Sequence, residues 1–99
     1  MLNIEKKTNG NALTVVLSGR LDTTTAPELE KQLKDSMGGV EALAIDMESL
    51  EYISSAGLRV LLSAQKVMNR QGSMTVTHLN ETIMEIFEVT GFSDILNIE

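Results

Sequence analysis

The sequence predicts a one-sided α/β sandwich: a mixed sheet of four to five strands with helices packed mainly on one face. Three observations carry this. Two alternating segments flank Asn9-Gly10, a strand–helix order then follows twice, and polar residues recur on alternate positions of the strands.

Leu2 to Lys7 and Leu13 to Ser18 both alternate apolar and polar, and Asn9-Gly10 supplies the positive backbone angles of a tight turn. They read as an antiparallel pair. Thr25-Ala26-Pro27-Glu28 then reads as a helix start, with Thr25 as cap, Glu28 bonding back to it and Pro27 in the first turn. Leu29, Leu33 and Met37 form the apolar face of that helix, and Gly38-Gly39 ends it.

Ala42 to Met47 is short and apolar enough for a buried strand. Helical spacing resumes from Leu58 through Leu61, Leu62 and Met68 until Gly72, before an alternating strand from Met74 to His78. Asn80 caps a third helix that turns Ile83, Ile86 and Phe87 inward and stops at Gly91, and Phe92 to Glu99 closes the chain with room for a final strand. Two successive crossovers of one hand place their helices on one side of the sheet. Leu13, Val15 and Leu17 are expected to face them, while Thr14, Ser18, Thr75 and Thr77, with Val16 as an exception, line the more polar face.

Composition narrows the function. With 99 residues, folding buries roughly two thirds of the unfolded surface, enough for one core, so residues 1–99 are expected to form a single domain. The absence of cysteine excludes thiolate sites and cysteine nucleophiles, and a single histidine, His78, excludes a multi-histidine metal site. Fourteen acidic against eight basic residues give a net charge of −6, which repels phosphodiester backbones, and only three aromatics are available for base stacking. Nucleic acid is therefore not the expected partner. The first residues lack the apolar core of a signal peptide, and no later apolar run spans a bilayer, so a cytoplasmic location without direct membrane contact is expected.

The most informative stretch is Tyr52-Ile53-Ser54-Ser55-Ala56-Gly57-Leu58, where a strand exit leads through two serines into a helix. A helix start offers unpaired amides and partial positive charge, so Ser54 and Ser55 are candidate phosphoacceptors. The plainer reading is that one of them caps the helix, and adjacent serines can serve both purposes. There is no Gly-x-Ser-x-Gly elbow and no clustered acid and base, so an enzyme is not expected. His78 reads as a solvated or hydrogen-bonded side chain without a catalytic role.

The segment Gly19 to Thr25 follows one strand as Ser54-Ser55 follows the next, and parallel strands bring the two together. Asp22 can then share a patch with the serines, or act as a turn residue accepting local amides. Glu28, Glu30, Lys31, Lys34 and Asp35 read as the solvated face of the first helix, with Glu30 and Lys34 spaced as an i,i+4 pair. The methionines in the predicted elements read as packing.

Gly19-Arg20-Leu21-Asp22, Leu43-Ala44-Ile45-Asp46-Met47, Tyr52 to Leu58 and Thr90-Gly91-Phe92, in that order and spacing, resemble a bacterial STAS domain, in particular the anti-sigma factor antagonists. The resemblance covers nearly the whole chain. It implies a single STAS domain that, unphosphorylated, binds an anti-sigma factor serine kinase and so frees a sigma factor for transcription. Phosphorylation by that kinase breaks the complex, and a phosphatase acting on the phosphoserine restores it.

The family's acceptor serine stands two positions before the glycine entering the helix, which is Ser55 here; Ser54 is the alternative acceptor. The family commonly has an aspartate directly before the acceptor, and this chain has Ser54 there. Asp22 matches the other acidic position, so the implied partner surface comprises Asp22, Thr23, Thr24, Ser54, Ser55, Ala56 and Gly57. No cofactor or metal is implied, and the free protein is expected to be a monomer. The substitution at position 54 leaves a second reading open: a non-phosphorylated STAS subunit of a transport or scaffold complex.

Overall fold

The computed structural model describes residues 1–99. Its elements in chain order are β1 (Leu2–Asn9), β2 (Ala12–Leu21), α1 (Ala26–Ser36), β3 (Ala42–Ile53), α2 (Ser55–Gln71), β4 (Ser73–Thr77) and α3 (Glu81–Thr90), followed by a 3₁₀ turn at Phe92–Asp94.

The strands form one sheet in the order β1-β2-β3-β4, with β1 antiparallel to β2 and the other neighbours parallel. Asn9 pairs with Ala12, so the two-residue turn is Gly10-Asn11 rather than Asn9-Gly10. Gly10 has φ of +62° and Asn11 a negative φ, the sign pattern of a type II′ turn, which asks for glycine at its first central position. The fifth strand reduces to a single parallel bridge between Val76 and Ile98.

Alternation sorts the strands as expected. Leu13, Val15 and Leu17 of β2, Leu43, Ile45 and Met47 of β3, and Met74 and Val76 of β4 are buried in one core with Leu29, Leu33, Leu58, Leu61, Ile83 and Phe87 from the helices. Thr14, Val16, Ser18, Ala44, Asp46, Thr75 and Thr77 point the other way and stay half-exposed, so no helix covers that face. No helix is long and apolar enough to cross a membrane.

Two strands run further than their sequence predicts. β2 continues through Gly19 and Arg20 to Leu21, and β3 continues past Met47 to Ile53. The register between them slips after Val16 and again after Gly19, so pairing survives where simple alternation breaks. Gly19 sits at the second slip with φ of +94°, a conformation that glycine adopts without a Cβ penalty. These irregular extensions carry Leu21 and Ile53 to the edge from which α1 and α2 depart.

Helix α1 departs from its expected capping. Thr25 holds the N-cap position, but its side chain makes no cap bond to the helix. Its hydroxyl instead donates to the Arg20 carbonyl at 2.9 Å and accepts from the Asp22 amide at 2.8 Å, while Glu28 accepts from Gln32. Asn80 caps α3 as expected, accepting from the Ile83 amide at 3.0 Å, and Gly91 ends that helix in the left-handed region. The Glu30–Lys34 pair forms at 3.6 Å on the exposed side of α1.

Candidate functional site

The site lies at the carboxyl edge of the parallel strands, where β2 hands over to α1 and β3 to α2. Leu21 pairs with Ile53 in the ladder, and the next residue, Ser54, donates its backbone amide to the Leu21 carbonyl at 2.9 Å. The two loops are thereby fixed against each other by backbone.

Ser54 is the N-cap of α2, extended in backbone, with its hydroxyl accepting from the Gly57 amide at 3.5 Å. Ser55 is the first helical residue and is exposed, whereas Ser54 is half-buried. The two serines therefore divide the roles: Ser54 turns back to the helix, and Ser55 faces solvent. The first turn of α2 contains no acidic residue, so its amide dipoles are not neutralised locally.

Gly57 is required by close approach. A Cβ there would lie 2.6 Å from Leu21 Cγ and 2.9 Å from Ile53 Cγ1, so α2 begins directly against the ends of β2 and β3. Of the site residues expected from the sequence, Gly57 is buried and cannot itself present a surface. Its place is beneath the exposed serine.

Asp22 organises the facing loop. Its Oδ1 accepts from the Thr24 hydroxyl at 2.7 Å and amide at 3.0 Å, and from the Thr25 amide at 3.2 Å. Its pKa lies below the ordinary carboxylate value, chiefly because the Thr24 hydroxyl binds the ionised form; desolvation acts against this, and the amides of Thr24 and Thr25 reinforce it. The other oxygen lies 3.8 Å from Arg20 Nε. Asp22 is thus the turn residue and a fixed negative charge on the loop that follows Leu21, whose carbonyl the Ser54 amide binds.

Sequence reading missed two residues here. The Arg20 guanidinium stacks 4.5 Å from the centroid of Tyr52, its neighbour across β2 and β3, which anchors the cation next to Asp22. The signal lay in the register: only with both strands extended do Arg20 and Tyr52 fall opposite each other. Thr23 and Ala56 do come together, lining one cleft of about 190 Å³ with Pro27, Glu30 and Arg59 among others. Thr24 is exposed on the same loop as Thr23.

His78 is away from this edge, with Nδ1 3.1 Å from Asp46 Oδ2 on the helix-free face. Asp46, Glu48 and His78 can bring one donor atom each within 4.8 Å of the others, but Glu48 and His78 are exposed and His78 is already engaged by Asp46.

The chain matches the STAS domain family over residues 3–99. It is 31% identical over 98 residues to the anti-sigma-B factor antagonist of Bacillus subtilis (strain 168), covering 98% of this chain and 90% of that protein. In structure it is similar to an anti-sigma factor antagonist from Mycobacterium paratuberculosis, with a TM-score of 0.90 at 21% identity, covering 99% of this chain and 85% of the other. It is also similar to the Bacillus cell fate determinant SpoIIAA in its phosphorylated form, with a TM-score of 0.76 at 15% identity, covering 98% and 91%.

Proposed function

The chain belongs to the STAS domain family, and from that premise we propose that it is an anti-sigma factor antagonist: a non-enzymatic partner of an anti-sigma factor, switched by phosphorylation of Ser55. The likeness to the anti-sigma-B factor antagonist along 98% of the chain supports the regulatory class. SpoIIAA, a structural relative known in a phosphorylated form, supports the kind of switch.

The observation that carries the residue assignment is the division of labour at the start of α2. Ser54 spends its hydroxyl on the cap while Ser55 is exposed, one position into the helix. A kinase bound to this edge reaches Ser55 without undoing the helix start, whereas modification of Ser54 removes the cap acceptor. The partner surface is formed by Asp22, Thr23 and Thr24 on one loop and Ser54, Ser55 and Ala56 on the other. The anti-sigma factor is itself the serine kinase, and a phosphatase reverses the modification.

Phosphorylation adds about 1.5 to 2 negative charges at neutral pH. Asp22 is ionised in that range, as any carboxylate titrating at or below 3.8 is. The dianion therefore acts on the interface by repulsion and desolvation, with the fold unchanged. Both partners and the switch are cytoplasmic.

Site-resolved mass spectrometry of the protein from its native host, beside Ser54→Ala and Ser55→Ala variants expressed there, tests the assignment. A phosphate lost only in Ser55→Ala is the expected result. Loss only in Ser54→Ala moves the acceptor by one residue. No phosphate under any growth condition points instead to the non-phosphorylated subunit of a transport or scaffold complex.

A further inference from the structure

We propose that Arg59 is an intramolecular clamp for the phosphoryl group on Ser55, closing on the dianion from one turn further along α2. The proposal rests on the reading of Ser55 as the acceptor and deepens it by naming what the phosphate meets on its own chain.

Ser55 and Arg59 are four residues apart within α2, which runs from Ser55 to Gln71. Residues at this spacing are neighbours on a helix surface, and an anion preceding a cation by four is the favourable order for the helix dipole. Both residues are exposed, so their side chains are free to meet in solvent.

Arg59 has nothing else to hold. Arg20 lies by Asp22 and over Tyr52, and Lys34 is paired with Glu30. Arg59 forms no ion pair and no side-chain hydrogen bond. Glu30, the acidic residue that shares its cleft, is taken by Lys34. The first turn of α2 has no acidic side chain to compete for the guanidinium.

Arg59 lines the cleft with Thr23 and Ala56, so it stands at the same edge as the implied partner surface. Before modification the guanidinium is available to a carboxylate of the bound partner. After modification it has a dianionic acceptor on its own helix, with planar N–H groups suited to bidentate pairing with phosphate. Phosphorylation then both adds negative charge and withdraws a positive contact, making one modification count twice against the complex. Ser54, five residues from Arg59 and turned into the cap, is not placed for this pairing.

The test uses the full chain with phosphoserine installed at position 55 by stop-codon suppression, so that it does not depend on any kinase. The second phosphate ionisation is followed by phosphorus NMR in that protein and in its Arg59→Gln and Arg59→Lys forms. Removing a paired cation raises the phosphate pKa, by about half a unit for Arg59→Gln, with Arg59→Lys in between. The same titration with phosphoserine at position 54 is expected to be indifferent to Arg59. Equal pKa values in the position-55 wild-type and Arg59→Gln proteins, with the fold retained by circular dichroism, would overturn the clamp. A cognate kinase that leaves Ser55 unmodified defeats the regulatory reading instead, and leaves this comparison standing.

Discussion

Ser54 donates its backbone amide to the Leu21 carbonyl at 2.9 Å, so the residue that caps α2 also continues the parallel pairing of β2 with β3. One bond thereby links the two loops of the site. The serine loop inherits its position from the sheet, and Ser55 is presented from a backbone that a phosphate need not disturb.

That close join makes Gly57 the most sensitive position of the site. Leu21 and Ile53, which a Cβ at Gly57 would meet first, are essentially inaccessible to solvent and have nowhere to move. Gly57→Ala is expected to destabilise the protein by about 1–3 kcal/mol, as overpacking of a filled core does. Urea unfolding checks this. A midpoint equal to that of the parent protein would show that α2 shifts freely.

The two serines are expected to separate in stability as they do in structure. Ser54→Ala removes the cap and costs about 0.5–1 kcal/mol, toward the lower end because the Ser54 bond to the Gly57 amide is long. Ser55→Ala changes an exposed residue with no cap role and stays within about 0.5 kcal/mol. The same unfolding measurement on both variants reads the difference, and a larger loss at Ser55 would reverse the assignment of cap and acceptor.

Asp22 gives a pH signature whose sign is fixed by its hydrogen bonds. Its folded-state pKa lies below the ordinary value of 3.8, so its ionised form stabilises the fold fully above that value. As pH falls through the lowered folded value, the contribution is lost. Asp22→Asn is therefore expected to be less stable than the parent at neutral pH, by a constant gap that closes only below 3.8. Urea midpoints of the two proteins across the acid range test it, and a gap independent of pH would contradict the bonds seen at Thr24 and Thr25.

Much of this was legible in the sequence because local and global preferences agree. Alternation in Leu13 to Leu17 and the helical spacing of Leu29 and Leu33 found the core, and Asn80 and Gly91 bounded α3 by cap chemistry alone. What escaped depends on neighbours distant in sequence. The continuation of β3 through Glu48 to Ile53 is held by pairing to an irregular β2, and a register slip erases the alternation that would betray it. Thr25 and Glu28 spell a capping box, yet the Thr25 hydroxyl is claimed by Arg20 and Asp22 because β2 brings those groups within reach. The hairpin turn moved by one residue for the same reason: Asn9 has a pairing partner in Ala12. The place of Ser54 and Ser55 at the start of α2 and of Asp22 in a turn was readable from the local motifs, while Arg20 over Tyr52 required the cross-strand register.

The most direct measurement is the affinity of the chain for the proposed anti-sigma factor kinase of its host, by calorimetry with Ser55 free and with phosphoserine installed there. The predicted result is binding by the unmodified protein and a loss of at least about tenfold on phosphorylation, or about 1.4 kcal/mol, with circular dichroism unchanged. Equal affinities of the two forms would contradict it.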